Sequence, residues 1–253
     1  MNSTAFIDTK ITEKTATITF FHPSSNSFPS SQLIKLTESI NLLNQNKEVS
    51  VIILKSAGER AFCAGASFDE LLNVDSMEKG ASFFSGFANV INAMRTSNKI
   101  IVGRIQGKTV GGGVGIVAAC DYRFATKNAL VKLWELAIGI GPFVIEPAVS
   151  RKIGKPAMAE MTLEAENWKT AEWAHENKLF TQLFEETSQM DEALMNFTER
   201  LSSYNVKALS EMKKVLWEGT EHWDELLKKR AVISGNLVLS EFTINALNAF
   251  KKK

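Results

Sequence analysis

The sequence has little cysteine and almost no excess of either charge. Its 253 residues include two cysteines, Cys63 and Cys120, and no CxxC pair. Two isolated cysteines exclude a disulfide framework and a cysteine-based zinc site, and they predict a reducing compartment. Lysine and arginine total 29 against 28 aspartate and glutamate residues, a formal net charge of +1. Because proteins that bind nucleic acid usually carry a clear basic excess, a partner of that class is disfavoured.

Long hydrophobic runs are also missing. The N-terminal residues MNSTAFIDTKITEK are polar where a signal peptide needs an apolar core. The longest near-apolar stretch, 136–149, is too short to span a bilayer and is interrupted by glycine, proline and glutamate. No association with a membrane is therefore expected. The three histidines lack the spacing of metal ligands, so no bound metal is expected either. These features predict a soluble, cytoplasmic protein.

The first 133 residues contain an alternation of strand and helix patterns. The predicted strands lie at 6–11, 14–21, 49–58, 99–107, 121–126 and 129–133. The predicted helices between them lie at 33–44, 68–73, 77–96 and 110–120. From about residue 156 the strand signal fades, and the remaining patterns are helical, beginning with a helix at 158–164. We therefore predict an α/β fold that ends in a helical region.

Two loops of small residues stand where a strand pattern gives way to a helix pattern. In AFCAGASFDELL, residues 61–72, small side chains at 64–66 allow close approach of the backbone. Ser67 followed by Glu70 has the form of a capping box, which predicts a helix start with free N–H groups. In VGGGVGI, residues 110–116, three glycines precede an apolar helix, and the pattern is neither GxGxxG nor a Walker loop. Two such turns can direct two N–H donors at one oxygen, as an oxyanion hole does.

One glutamate has an unusually apolar sequence context. Glu135 lies within VKLWELAIGIGP, beside Trp134 and Leu136. Apolar surroundings disfavour the charged carboxylate, so its pKa is expected to be raised. A carboxyl group that is held near neutrality is a useful proton shuttle.

These segments, in this order, resemble the crotonase family of enoyl-CoA hydratases and isomerases. The resemblance rests on AFCAGASFDEL, GKTVGGGVGIVAACDYRFAT and WELAIGIGP, and it covers residues 5–250. It implies an α/β fold, a crotonase-like spiral of ββα units over residues 1–195. It also implies a C-terminal helical trimerisation region over residues 196–253, and hence a homotrimer or a dimer of trimers.

The same resemblance implies the site. The thioester carbonyl of an acyl-CoA would lie between the backbone N–H groups of Ala66 and Gly112, which would stabilise an enolate. The loop Ala64, Gly65 and Ala66 would also bind the CoA moiety, and Phe250 and Lys251 resemble the adenine and phosphate contacts of the family. CoA is then part of the substrate, and no separate cofactor is implied.

One departure from the family pattern concerns the acid–base residues. Hydratases of the family have two glutamates, and here the second matches Glu135 whereas the first falls on Gly115. Gly115 is expected to leave room for a branched acyl chain, as in the methylglutaconyl-type hydratases that ELAIGIGPFVIEPAV resembles. Glu146 is a reserve acid–base candidate, expected to line the same pocket.

Three functions remain open at this point. The first is hydration of a 2-enoyl-CoA, ranked slightly above the second, a Δ3-Δ2 isomerase that uses Glu135 as its single base. The isomerase resemblance includes CDYR at 120–123. The third, ranked well below both, is a catalytically weak homologue that binds acyl-CoA.

Overall fold

The computed structural model describes residues 4–251, and for Phe250 and Lys251 it describes the backbone alone. The strands are β1 (Phe6–Thr12), β2 (Thr15–Phe21), β3 (Val51–Ser56), β4 (Ala61–Cys63), β5 (Ile100–Ile105), β6 (Lys108–Val110), β7 (Tyr122–Thr126), β8 (Val131–Lys132) and β9 (Gln182–Phe184). The helices are α1 (Ser30–Gln45), α2 (Phe68–Leu72), α3 (Met77–Thr96), α4 (Gly112–Ala119), α5 (Glu146–Leu163), α6 (Ala171–Glu176), α7 (Thr187–Ser202), α8 (Val206–Leu216), α9 (Trp223–Leu237) and α10 (Glu241–Lys251). A short 3₁₀ turn spans Glu135–Ile138. The predicted α/β fold is confirmed.

The strands form two sheets. The larger has the order β1-β2-β3-β5-β7-β9, and the smaller has the order β4-β6-β8. β1 pairs antiparallel with β2 as predicted, and the other pairs are parallel. All six residues of β5 and five of the six in β3 are buried, which explains the apolar run that opens each strand, VIIL in β3 and IIV in β5. Parallel strands share one carboxyl edge, so the loops that follow β4, β6 and β8 meet on one side of the small sheet.

Several predicted boundaries differ from the structure. The three-residue strands β4 and β9 were expected as loop and helical region, because such short segments show no periodicity. The helix predicted at 158–164 begins earlier, at Glu146, and is interrupted at Gly154, whose φ is +74°. The predicted division between residues 195 and 196 falls within α7, and this division stays a prediction. Along residues 4–251, no helix combines the length and the apolarity needed to cross a membrane.

The expected capping box at Ser67 and Glu70 forms only in half. The Ser67 hydroxyl accepts a hydrogen bond from Glu70 N at 3.3 Å and so caps α2. Ser67 N, however, donates to Phe28 O at 2.9 Å. The Glu70 carboxylate instead accepts from Ser30 N at 2.7 Å, at the first residue of α1. The residue therefore joins two helix starts that are 40 positions apart, which a local pattern does not reveal.

The CDYR segment docks the C-terminal helices onto the sheet. The Asp121 carboxylate accepts hydrogen bonds from Ile101 N, Lys213 Nζ and Trp217 Nε1, at 2.7, 2.6 and 2.7 Å. The side chains of Lys213 and Asp121 are 1% and 4% exposed. The Arg123 guanidinium donates to four backbone carbonyls. This motif therefore has a structural role.

Replacing Asp121 by Ala is expected to lower the free energy of unfolding by about 3–5 kcal/mol. The substitution leaves the Lys213 ammonium buried without its counter-charge, which costs far more than the loss of an exposed pair. Urea denaturation of the two proteins measures the difference. The control is Lys214→Ala, which lies beside Lys213 on α8. It removes the exposed ion pair with Glu211 and should lower the free energy of unfolding by under about 1 kcal/mol. Equal effects of the two substitutions would contradict this role for Asp121.

Candidate active site

A cavity of about 720 Å³ lies where the loops after β4, β6 and β8 meet. Apart from the reserve candidate Glu146, the sequence predicts seven residues for the site, and five of them line this cavity: Ala64, Gly65, Ala66, Gly112 and Glu135. Each loop follows a strand of the small parallel sheet, which explains why segments about 70 residues apart converge. Phe250 and Lys251, the remaining two, have side chains outside the described residues.

The first two loops are in direct contact. Gly65 has φ +88°, a conformation that favours glycine. A Cβ atom built on Gly65 would lie 3.0 Å from Val110 O and 3.7 Å from Gly112 N. The absence of a side chain at Gly65 therefore allows the loop after β4 to lie against the loop after β6.

Two backbone N–H groups of these loops are unused. The neighbours of Ala66 pair with Phe28, through Phe28 N to Gly65 O at 2.8 Å and Ser67 N to Phe28 O. Gly112 is the first residue of α4, a position whose N–H has no acceptor inside the helix. Neither Ala66 N nor Gly112 N donates to any atom within residues 4–251. Both residues line the cavity, so each amide is free for a ligand oxygen.

The carboxyl group of Glu135 lies beside the second loop. Glu135 begins the 3₁₀ turn that follows β8, and this turn ends at Gly139, whose φ is +84°. A Cβ atom built on Gly111 would lie 2.9 Å from Glu135 Oε1. The other carboxyl oxygen, Oε2, is buried and has no hydrogen-bond partner among the described residues.

Burial raises the pKa of Glu135 to about 7, although the backbone N–H groups of Glu135 and Trp134 act to lower it. The direction agrees with the expectation from its apolar sequence context. Near neutral pH the group therefore exists in both protonation states, as a proton shuttle requires.

The space beside Gly115 is filled, contrary to expectation. A Cβ atom built on Gly115 would lie 2.6 Å from Ile145 Cβ and nearer still to Ile145 Cγ2. Gly115 and Ile145 are both buried, so Gly115 does not leave room for a branched acyl chain. Ile145 also lines the cavity, and it was not recognised from the sequence because the two residues are 30 positions apart.

Glu146 does not line this cavity, which corrects the expectation for the reserve candidate. It lines a separate, smaller cavity and forms ion pairs with Lys155 and Arg230. Burial acts to raise its pKa, but hydrogen bonds from Lys155, Ser150 and Arg230 lower it to about 2. A carboxylate that remains ionised at neutral pH is a poor proton donor.

Four further side chains lie near the loops or line the cavity. Burial raises the pKa of the Cys63 thiol to about 12, so it stays protonated, and its sulfur accepts a hydrogen bond from Gly65 N at 3.3 Å. Trp134 and Phe143 both line the cavity. Phe87, which the sequence analysis did not single out, packs against Gly112 and lines the cavity as well.

Comparison with known sequences identifies the family. The sequence model described as enoyl-CoA hydratase/isomerase matches residues 10–241. The peroxisomal Delta(3,5)-Delta(2,4)-dienoyl-CoA isomerase of Arabidopsis thaliana is 26% identical over 203 residues, which are 74% of this chain and 71% of that protein. The short-chain-enoyl-CoA hydratase of Clostridium acetobutylicum is 30% identical over 161 residues, 63% of this chain and 61% of that protein. The methylglutaconyl-CoA hydratase of Mus musculus is 32% identical over 46% of this chain and 37% of that protein.

Comparison with solved structures agrees on the fold. The enoyl-CoA hydratase of Bacillus halodurans superposes with a TM-score of 0.89 at 24% identity, covering 96% of this chain and 99% of that one. This likeness confirms the crotonase-like fold. The family match extends over most of the chain and includes both loops and Glu135. The chain therefore belongs to the enoyl-CoA hydratase/isomerase family of the crotonase superfamily, and it is an enzyme.

Proposed function

We propose that this chain is an enoyl-CoA isomerase that moves a double bond from the 3 to the 2 position of an acyl-CoA thioester. The observation that carries the proposal is the packing of Ile145 against Gly115. Along the described cavity wall the carboxyl groups are Glu135 and Asp69, and Asp69 is exposed. The less exposed part of the described cavity wall therefore offers one carboxyl group, and a double-bond shift needs one such base.

In the proposed reaction the thioester oxygen accepts hydrogen bonds from Ala66 N and Gly112 N. The Glu135 carboxylate removes a proton from C2, and the electron pair delocalises onto the thioester oxygen as a dienolate. The two amides stabilise that developing charge. Glu135 then returns the proton to C4, which places the double bond between C2 and C3 and regenerates the carboxylate. Ala64, Gly65 and Ala66 are proposed to contact the CoA moiety, and Phe250 and Lys251 are proposed to bind its adenine and phosphate.

Hydration, which the sequence alone ranked slightly higher, is less well supported by the packing. Adding water to a 2-enoyl-CoA requires a group that holds and activates the water while another delivers a proton. In two-glutamate hydratases a carboxylate at the position of Gly115 would share that work. Here Ile145 occupies the volume that such a side chain would enter.

The proposal is tested with a panel of 2-enoyl-CoA and 3-enoyl-CoA esters, straight and branched, incubated in deuterated water. NMR and mass spectrometry of the products distinguish a shifted double bond from added water. We expect 3-enoyl esters to become 2-enoyl esters with no 3-hydroxy product. Formation of 3-hydroxyacyl-CoA as the main product would refute the isomerase and restore hydration. No turnover of any ester that binds would instead favour an acyl-CoA-binding homologue.

The packing at Gly115 makes a further expectation testable. The double variant Gly115→Glu with Ile145→Gly should hydrate crotonyl-CoA about 10²-fold faster than the native protein, since general acid–base groups contribute gains of this order. Gly115→Glu alone should gain no hydration and should be destabilised by about 1–3 kcal/mol through overpacking. The loss of enoyl thioester absorbance measures hydration. Equal hydration by the single and double variants would contradict the role of Ile145.

We also propose a homotrimer or a dimer of trimers. Lys213 is the one buried residue of α8, whereas Met212, Val215 and Leu216 are 48%, 50% and 49% exposed. An apolar helix face that the rest of its own chain leaves exposed is typical of a subunit interface. Sedimentation equilibrium of the native protein and of Val215→Glu tests the proposal, and a monomeric native protein would refute it.

A further inference from the structure

A second cavity, of about 300 Å³, lies beside the candidate active site. The two cavities share Gly141, Pro142 and Phe143 and no other described lining residue. The wall between them is therefore a single segment of three residues. The segment follows the 3₁₀ turn that carries Glu135 and precedes α5.

The second cavity is mostly apolar. Its remaining lining comprises Leu136, Met158, Ala159, Thr162 and Leu163, together with the ion pair of Glu146 and Lys155. On the other side of the wall, Ile138, Ile140, Val144 and Ile145 line the candidate active site. Apolar side chains therefore line both faces of the three-residue segment, in surroundings suited to a hydrocarbon chain.

Arg230 holds the backbone of the wall in place, whereas the side chain of Phe143 closes the wall and can be truncated by substitution. Arg230 Nη1 donates to Phe143 O at 3.1 Å and pairs with the Glu146 carboxylate. A Cβ atom built on Gly141, whose φ is +93°, would lie 2.7 Å from Phe143 Cε2. The Phe143 ring therefore packs directly on the backbone of Gly141. Truncating the ring would open the wall while Arg230 continues to hold the carbonyl.

We propose that the second cavity is a subsite for the distal end of a long acyl chain and that Phe143 closes it. The native protein is then restricted to short acyl chains, and Phe143 is the residue that determines the upper limit. This inference rests on the proposed function, because it assumes that an acyl-CoA thioester occupies the larger cavity with its acyl chain directed towards Phe143.

The test measures the dissociation constants of saturated acyl-CoA esters from butyryl to dodecanoyl by calorimetry. Saturated esters bind without reacting, so the result does not depend on turnover. For the native protein we expect the affinity to stop rising once the chain reaches Phe143. For Phe143→Ala we expect the affinity to continue rising, by up to about fourfold per added methylene, which is the value for full burial of a methylene group.

Two matched variants complete the test. Phe84→Ala enlarges the main cavity without touching the shared wall, so its limit on chain length should remain that of the native protein. Ala159→Phe, added to Phe143→Ala, should fill the second cavity and restore the native limit. Circular dichroism establishes that each variant is folded.

The outcomes separate this inference from the proposed function. If short esters bind but Phe143→Ala has the same chain-length limit as the native protein, the subsite is refuted. The same conclusion follows if Ala159→Phe leaves the limit of Phe143→Ala unchanged. If no ester binds, butyryl-CoA included, the proposed function fails and this inference with it.

Discussion

Replacing Glu135 by Gln should lower kcat for the 3-enoyl-CoA substrate by about 10²–10⁴-fold, the usual contribution of a general acid–base group. The amide has the shape of the carboxyl group but neither accepts nor returns a proton. The second carboxyl oxygen, Oε2, is buried and has no hydrogen-bond partner among residues 4–251, so the exchange breaks no hydrogen bond at that oxygen within this part of the chain. The dissociation constant of an unreactive acyl-CoA ester should therefore change little.

The matched control is Asp69→Asn, which makes the same chemical change on an exposed carboxylate of the same cavity. Its turnover should stay within a few-fold of the native value. Steady-state kinetics and calorimetry on the three proteins provide the comparison. Native turnover by Glu135→Gln would refute Glu135 as the base, and equal losses in both variants would point to a general electrostatic effect.

The raised pKa of Glu135 also predicts a pH dependence. Burial raises this pKa to about 7, and the base must be ionised to remove a proton from C2. The value of kcat/KM should therefore rise with pH through about 7 and level off above it. The rise should be absent from the residual activity of Glu135→Gln. A native profile that is flat between pH 5 and 9 would contradict the assignment.

Replacing Gly112 by Pro should lower kcat by about 10²–10³-fold, the usual cost of losing one donor to a developing oxyanion. Proline has no N–H, and the first residue of a helix is the position where it is best tolerated. A side chain at Gly112 meets a steric obstacle, because its Cβ would lie 2.5 Å from Phe87 Cζ. The variant is therefore best made together with Phe87→Ala.

Gly112→Ala with Phe87→Ala is the control for Gly112→Pro. It introduces the same Cβ atom and keeps the N–H, so the ratio of the two rates isolates the loss of the donor. Single-turnover kinetics with saturating substrate measure that ratio. Indistinguishable rates for the alanine and proline variants would contradict a role for Gly112 N in stabilising the enolate.

The features that depend on local order along the chain could be predicted from the amino-acid sequence. Runs of apolar, mostly β-branched residues identified β3 and β5, because a strand that is buried on both faces is apolar at successive positions. Apolar periodicity identified α1 and α3, because a helix repeats its buried face about every 3.6 residues. Small residues at 64–66 and 111–113 marked the two loops, since only such residues allow the backbones to meet. The apolar neighbours of Glu135 were enough to predict the direction of its pKa shift.

The features that depend on contacts between distant residues became apparent only in the folded structure. In the structure Ile145 packs against Gly115, so the space that was expected beside Gly115 is filled. Glu146 pairs with Arg230 and lies outside the main cavity. The tertiary structure also divides the hydrogen bonds of Glu70 between two helix starts and gives Asp121 a buried lysine from α8 as its partner. Side-chain volume and charge compensation act through space, so residues 30 to 92 positions apart leave no common pattern in the sequence.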